Sequence, residues 1–335
     1  MALPEFFVAG APKAGTTALH AALARHPELY LSAIKEPKFF LTDGPPPVQG
    51  GPGDAKTYRE HVWRRADYER LFAPAPAGAL CGESTPFYLY SAAAQERIRA
   101  LIPAARFIVV LRDPVERAHS NWTHLWSAGL DPIADFVAAC AAEDRRVEAG
   151  WADFWHYTRL GMYGRQLEHL YSVFPREQVQ VFRYRTMISE PARMLDEVYG
   201  FLGVRAGLLS EIPRENVTAH PPMTGRHRSL ARLMRAGSTL ATLLPGRSGG
   251  RITDPLERSL QSGAQARQPL TWAQRQALLP RFESDLRLLE SLTGEDFGDW
   301  LAPRGDSGGL VGARPAGQGQ ARNGRPQSQR GQRAY

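Results

Sequence analysis

The feature that most constrains the fold is an apolar run that leads through a short loop into an amphipathic helix. Residues 5–10 (Glu-Phe-Phe-Val-Ala-Gly) have the length and composition of a buried strand. Residues 11–15 (Ala-Pro-Lys-Ala-Gly) contain the proline and glycine typical of a loop, and residues 16–25 carry apolar side chains at helical spacing before His26 and Pro27 end the pattern. A strand, a loop and a helix in this order predict the start of a βαβ unit.

The rest of the chain repeats this alternation. Further strands are predicted at 80–82, 106–111 and 179–182, and further helices at 115–128, 163–174, 193–202 and 272–292. Strands that alternate with helices predict an α/β protein with a P-loop-like three-layer fold, in which a mostly parallel central sheet is flanked by helices. Residues 44–54 and 245–268 are predicted to be irregular, and residues 1–303 to form a single domain.

The positive charge is concentrated at the C-terminal end. The 335 residues carry 41 Lys plus Arg against 34 Asp plus Glu, a formal net charge of +7. Residues 304–335 hold six arginines and one aspartate, so this segment contributes +5 of that charge. Because it is rich in Gly, Gln, Arg and Pro and nearly lacks apolar residues, we expect a disordered tail. Two interpretations stay open: a solvated extension without a specific partner, or an arm that binds nucleic acid or another anionic surface.

Two cysteines and the absence of long apolar segments bear on location. Cys81 and Cys140 are the only cysteines, which favours a reducing compartment over a disulfide scaffold. No stretch of about 18 apolar residues indicates a membrane span. The N-terminus lacks the basic segment of a secretory signal. The sequence therefore predicts a cytoplasmic protein.

The first loop has the glycine spacing of a phosphate-binding P-loop. Gly10 and Gly15 are five positions apart, Thr17 occupies the usual Ser/Thr position, and the loop precedes a helix whose N-terminus attracts anions. A nucleotide kinase would need lysine at position 16, where this chain has threonine, and its loop lysine is Lys13 instead. The pattern predicts a phosphate-bearing nucleotide bound without a metal ion. A plain strand-to-helix turn and an ATP-dependent kinase are the alternatives.

A second group of residues follows the predicted strand 106–111. Arg112 leaves the carboxyl end of this strand, and Ser120 lies eight residues further along the helix that follows. In open α/β sheets ligands bind at this edge, and a guanidinium with a nearby hydroxyl offers several donors to a phosphate. The alternative is a salt bridge between Arg112 and Asp113, with Ser120 facing solvent.

These motifs together resemble the sulfotransferases that use 3′-phosphoadenosine 5′-phosphosulfate (PAPS). Residues 12–17 are similar to the family's 5′-phosphosulfate loop, and Arg112 with Ser120 to its 3′-phosphate pair. Residues 35–40 (Lys-Glu-Pro-Lys-Phe-Phe) resemble a segment of the branch that contains heparan-sulfate and many bacterial sulfotransferases. Three further segments resemble later parts of that branch: 82–89, 179–203 and 289–300. The resemblance covers roughly residues 5–301.

The resemblance implies roles for particular residues. Lys13 would stabilise the charge that develops on the leaving phosphate during sulfuryl transfer to a hydroxyl or an amine, and Glu36 would act as the general base, with Glu83 in reserve. The nucleotide would be bound by Lys13, Ala14, Gly15, Thr16, Thr17, Arg112 and Ser120. Lys35 would tune Glu36 or touch the sulfonate, whereas His20, His119 and His124 are expected to pack or cap.

Other parts of the family pattern are harder to place. Arg185 replaces an acidic residue of the family, and the later nucleotide-binding loop matches either residues 224–226 or residues 249–251. The acceptor is predicted to be a small molecule or a glycan, taken from the carbohydrates, lipids or secondary metabolites. Two features are candidates for binding it: the Pro- and Gly-rich loop 44–53, and an aromatic cluster that alternatively belongs to the core, formed by Trp122, Trp126, Trp151, Phe154 and Trp155.

Overall fold

Five apolar runs form one parallel sheet. A computed structural model describes residues 3–48, 50–213 and 269–302. The strands in it are β1 (Phe6–Gly10), β2 (Leu29–Leu31), β3 (Leu80–Glu83), β4 (Arg106–Leu111) and β5 (Val179–Arg183). β1 is buried at every position and β4 at every position after Arg106. Both faces of these central strands are therefore covered, as expected of a parallel sheet flanked by helices.

The strand order places the two motifs that are predicted to bind phosphate after adjacent strands. The order is β2-β3-β1-β4-β5, and every neighbouring pair is parallel. In the β1–β4 pair, Phe7 lies opposite Phe107 and Gly10 opposite Val109, with a register shift between Val8 and Gly10. Because all five strands run in the same direction, the loops that follow them meet at one edge of the sheet. β1 is the central strand: β2 and β3 lie on one side of it, and β4 and β5 lie on the other. Such a switch point in the strand order is where α/β sheets bind ligands.

Thirteen α-helices connect and cover the strands in the described residues. They are α1 (Thr16–Leu23), α2 (Asp54–Arg59), α3 (Arg65–Arg70), α4 (Ala92–Leu101), α5 (Pro114–Ser127), α6 (Phe136–Ala141), α7 (Glu143–Glu148), α8 (Tyr163–Val173), α9 (Tyr184–Ser189), α10 (Pro191–Leu202), α11 (Trp272–Leu278), α12 (Glu283–Thr293) and α13 (Gly298–Leu301). Short 3₁₀ turns occur at Phe39–Leu41, Asp153–Trp155, Arg159–Gly161, Arg176–Gln178 and Leu279–Arg281.

Asp113 and Pro114 fix the start of helix α5. The carboxylate of Asp113 accepts hydrogen bonds of 3.0 Å from the backbone N–H groups of Val115 and Glu116. Pro114 fills the first helical position, where the missing N–H has no cost. This cap fixes the start of α5 directly after Arg112, and therefore sets where Ser120 lies two turns later.

The predicted fold class is confirmed, but several elements differ from the prediction, and the helices α2, α3, α4, α6, α7, α9 and α13 were not predicted. The single helix predicted over 272–292 is wrong, because α11 and α12 are separate and Pro280 lies in the 3₁₀ turn between them. The strand β2 has only three residues and was not predicted. The predicted irregular segment 245–268 and the predicted tail 304–335 lie outside the described residues.

Candidate active site

The loop between β1 and α1 forms a tight turn at the switch point of the sheet. Ala14 donates a 3.1 Å backbone hydrogen bond to Ala11, and Lys13 adopts a left-handed φ of 68°. Gly15 caps α1 with a φ of 84°. A Cβ at Gly15 would lie 2.2 Å from Met187 Cε, so helix α9 packs directly against this loop. The free N–H groups at the start of α1 are therefore presented beside Lys13, as an anion site requires.

Arg112 is held against this loop. Its Nη1 donates a 3.4 Å hydrogen bond to the backbone carbonyl of Lys13, and its Nη2 lies 3.3 Å from Glu116 Oε2. The guanidinium carbon is 4.9 Å from the centre of the Tyr184 ring. Ser120 lies on α5 and is half-buried. The structure thus brings Arg112, which lies between β4 and α5, to the loop, and Ser120 lies on the helix that follows it.

Glu36 lies in the loop after β2, at the same edge of the sheet. Its backbone N–H donates a 3.0 Å hydrogen bond to the carbonyl of Ser84, which follows β3. Lys35 Nζ lies 2.6 Å from Glu36 Oε1, and the two side chains are 23% and 28% exposed. Glu36 is therefore fixed through its backbone, while its carboxylate remains accessible to solvent beside a cation.

His20 connects the helix that follows the β1 loop with the segment that follows β3. The sequence did not reveal this role. His20 Nδ1 forms a 2.9 Å hydrogen bond with Ser84 Oγ. Burial and the positive charge of Lys35 lower the pKa of His20 to about 4, whereas Glu36 opposes this shift. His20 is thus neutral at physiological pH and belongs to the site. The available signal was its spacing, since residues three and four positions apart share a helix face and His20 follows Thr16 and Thr17 at those intervals.

Glu83 lies at the end of β3 and is completely buried. It accepts hydrogen bonds from the hydroxyls of Tyr68 (2.7 Å), Thr85 (2.7 Å) and Tyr88 (2.9 Å). Burial raises the pKa of its carboxyl to about 7, against the opposing effect of these three donors. A side chain enclosed in this way has no open path to an acceptor.

The predicted aromatic cluster divides into core and surface. Trp122 and Trp155 are 2% and 1% exposed, so these two rings belong to the core. Phe154 is half-buried, and its ring makes edge-to-face contacts with Phe87 at 5.9 Å and His124 at 5.6 Å. Phe87 follows Ser84 by three residues, and His124 follows Ser120 by four, one turn of α5. The three rings therefore connect the segment after β3 with helix α5.

The C-terminal end of the Pro- and Gly-rich loop is attached to this aromatic region. Asp54 accepts hydrogen bonds from the backbone of Gly51 (2.6 Å) and Ala152 (2.8 Å) and from Trp155 Nε1 (2.9 Å). A Cβ at Gly51 would lie 2.6 Å from the Trp151 ring. The loop thus reaches the aromatic segment, as an acceptor-binding role would need.

The remaining predictions concern the later nucleotide-binding loop, metal binding, membrane spans and the two cysteines. Both candidates for the later nucleotide loop, residues 224–226 and 249–251, lie outside the described residues. Within the part of the chain that the structure describes, no group of three His, Cys, Asp or Glu side chains is placed to hold a metal ion. Among those same residues, no helix is both long and apolar enough to cross a membrane. Cys81 and Cys140 are buried free thiols.

The fold and site define an α/β protein of P-loop-like architecture, with Lys13 and the start of α1 at its switch point. Comparison with known proteins then identifies the family. Residues 4–206 match the model of the Sulfotransferase family, so the chain belongs to that family. A sulfotransferase from Alicyclobacillus acidocaldarius shares the fold, with a TM-score of 0.70, 25% identity and coverage of 90% of this chain and 100% of that one.

Two human enzymes match this chain over only part of their own length. Heparan sulfate glucosamine 3-O-sulfotransferase 3B1 is 31% identical over 204 residues, which are 61% of this chain and 47% of that protein. Bifunctional heparan sulfate N-deacetylase/N-sulfotransferase 3 is 28% identical over 262 residues, which are 76% of this chain and 27% of that protein. The chain therefore spans half or less of the length of these relatives.

Proposed function

We propose that this protein transfers a sulfuryl group from PAPS to a hydroxyl group of a carbohydrate-type acceptor. The observation that carries the proposal is the contact between Arg112 and the carbonyl of Lys13, at 3.4 Å. It joins the two motifs expected for the 5′- and 3′-phosphates of the nucleotide at one edge of the sheet. Family membership supports the same reaction.

The described donors suit the anionic nucleotide. The N–H groups of Gly15, Thr16 and Thr17 and the two threonine hydroxyls would bind the 5′-phosphate at the start of α1, whereas the N–H of Ala14, also predicted as a donor, is used in its hydrogen bond to Ala11. Arg112 and Ser120 would bind the 3′-phosphate, with the guanidinium offering paired donors and the hydroxyl one more. Lys13 would place an ammonium group near the phosphate oxygen that gains charge as the sulfuryl group leaves.

Glu36 is the proposed general base. In an in-line transfer the bond between sulfur and the phosphate oxygen breaks as the bond to the acceptor oxygen forms, and the acceptor proton moves to a carboxylate. The 28% exposure of Glu36 allows an acceptor to reach it, whereas Glu83 is completely buried and already accepts three hydrogen bonds. These contacts favour Glu36 and assign Glu83 the task of holding the segment after β3 in place.

A carbohydrate acceptor is supported by two observations. The human relatives carry names that specify heparan sulfate as their substrate. In this chain, the half-buried rings of Phe87 and His124 both contact that of Phe154 where the segment after β3 meets α5, and an apolar sugar face would pack against the three rings. An amine, a lipid or a secondary metabolite in place of the sugar hydroxyl would use the same base and the same nucleotide site.

Calorimetry with 3′-phosphoadenosine 5′-phosphate (PAP), the desulfated product, tests the proposal. PAP is expected to bind in the presence of a chelator, and ATP is expected to bind at least tenfold more weakly, because it lacks the 3′-phosphate that Arg112 and Ser120 would recognise. ATP binding that is as tight and needs magnesium would instead support a P-loop kinase. Binding to nucleic acid that is lost with residues 304–335 would support a role for the basic tail.

A further inference from the structure

Three arginine side chains are buried in the described part of the chain, and one of them differs from the others. Arg146 donates from Nη2 to both carboxylate oxygens of Asp131 at 3.0 Å. Arg275 pairs with both oxygens of Asp113, at 3.0 and 2.6 Å. Arg117 is 0% exposed, yet no carboxylate among the described residues lies within 4.0 Å of its guanidinium. Its charge is therefore buried without a carboxylate in direct contact, and the buried carboxylate of Glu143 acts on it only from beyond that distance.

The hydrogen bonds of Arg117 go to oxygens that carry no net charge. Nη1 donates to Asn121 Oδ1 at 3.0 Å. It also donates, at 3.5 Å, to the backbone carbonyl of Pro12 in the loop between β1 and α1, residues 11–15, which we call the anion loop. Nη2 donates to the carbonyl of Tyr157. Nε has no hydrogen-bond partner in the described part of the chain. The guanidinium therefore lies directly behind the peptide that leads into Lys13.

A buried cation in this position is costly unless an anion lies near it. Removal from water disfavours the charged form, and burial lowers the pKa of Arg117; Tyr163, Glu143 and Cys140 oppose this shift, and the like charge of Arg112 adds a smaller effect in the direction of burial. Within a protein, charges interact strongly over several ångströms because little water screens them. A phosphate bound on the open side of the loop would add a negative charge on the side of Arg117 that faces Pro12.

We propose that Arg117 is a positioning residue of the nucleotide site, which favours the anionic phosphate through the loop by its buried charge and holds the Pro12 carbonyl by a hydrogen bond. This inference depends on the proposed function, because it needs a phosphate in the loop. Arg117 does not contact the phosphate directly. Its effect is carried by charge and by the orientation of the loop peptide.

The test compares PAP binding to the wild-type protein and to Arg117→Lys and Arg117→Gln. The Lys variant keeps the charge and the Gln variant removes it, so the Gln variant is expected to bind PAP at least tenfold more weakly than the Lys variant. The Gln variant should also show a weaker dependence of affinity on salt concentration. A purely structural role would lower the thermal stability of both variants without separating their PAP affinities.

Arg146→Lys and Arg146→Gln are the matched control, because Arg146 is equally buried but paired with Asp131. These two variants are expected to lose stability and to bind PAP with equal affinity. Equal PAP affinities for the two Arg117 variants would overturn the proposal. If Arg117→Gln does not fold, Arg117→Met takes its place, with the same outcomes. Wild-type protein that does not bind PAP would refute the proposed function instead.

Discussion

The guanidinium of Arg112 donates a hydrogen bond to the backbone carbonyl of Lys13, although the two residues are 99 positions apart in sequence. The contact forms because β1 and β4 are adjacent and parallel, so the residues that follow them meet. It orients Arg112 toward the anion loop before any ligand binds. The site is thus assembled by the sheet, and the following predictions test its parts separately.

Arg112→Ala is expected to weaken PAP binding by about tenfold or more, since a hydrogen bond to a charged group contributes about 1.5–3 kcal/mol. Binding of adenosine 5′-phosphate, which lacks the 3′-phosphate, should change much less. Calorimetry with both ligands measures the difference, and Ser120→Ala should show the same selectivity with a smaller effect. Equal losses for both ligands would place Arg112 away from the 3′-phosphate.

Glu36→Gln is expected to lower kcat by tenfold or more and to leave PAP affinity unchanged, because a general base contributes about 10²–10⁴ to the rate. Steady-state kinetics and calorimetry measure the two effects. Glu83→Gln is the matched exchange: its amide cannot accept all three buried hydroxyl hydrogen bonds, so the main expected effect is a loss of about 1–3 kcal/mol in stability. A normal kcat in Glu36→Gln would transfer the role of base to another residue.

Gly15→Ala is expected to destabilise the protein more than Gly294→Ala. Both glycines have a left-handed φ, 84° and 74°, and each substitution should cost about 1 kcal/mol for that conformation. Only at Gly15 would the new methyl group also meet side chains, Met187 Cε at 2.2 Å and Tyr184 Cε2 at 2.9 Å. Thermal unfolding compares the variants, and Gly15→Ala should in addition bind PAP more weakly. Equal unfolding temperatures would show that the loop does not need this close contact.

Protonation of His20 is expected to reduce the stability of the wild-type protein as the pH falls from about 6.5 toward 4. In the folded protein the pKa of His20 is lowered from 6.5 to about 4, so the unfolded chain binds a proton first over this range and is favoured. His61 and His156, which have similarly lowered pKa values of about 4, act in the same direction, whereas Glu83 and Asp153, whose pKa values are raised to about 7 and about 6, act in the opposite direction. In urea unfolding, the free energy of unfolding of His20→Gln should therefore change more favourably between pH 7.5 and pH 5 than that of the wild type. The same change in both proteins would mean that the pKa of His20 is not lowered in the folded state.

The sequence predicted the elements that have strong local signals. The strand β4 coincides with the predicted 106–111, because an apolar run of five residues, 107–111, is bounded by Arg106 and Arg112. The strand β2 has no comparable signal, since its three residues become a strand only by pairing with β3, where Tyr30 lies opposite Cys81. The break between α11 and α12 was signalled by Pro280, but the apolar periodicity on either side concealed it.

The residues of the site, too, were predicted only where a local sequence motif indicates them. Lys13, Arg112 and Glu36 were predicted because they occur in recognisable motifs. The hydrogen bond between His20 and Ser84 joins residues that are 64 positions apart, and no local pattern indicates it. The complete burial of Glu83 likewise depends on Tyr68, which comes from a separate helix. Partners of this kind follow from the three-dimensional packing rather than from the neighbouring sequence.

The all-parallel strand order also has a kinetic consequence. Each parallel pair needs a crossover connection, so the contacts that build the site join distant parts of the chain and form late, after a large loss of chain entropy. The anion loop follows β1, the segment with Glu36 follows β2, and Arg112 follows β4. These three parts come together only after β2, β3, β1 and β4 have paired in the sheet. Nucleotide binding therefore reports on completion of the sheet, and a partly folded chain with its helices formed would still lack the site.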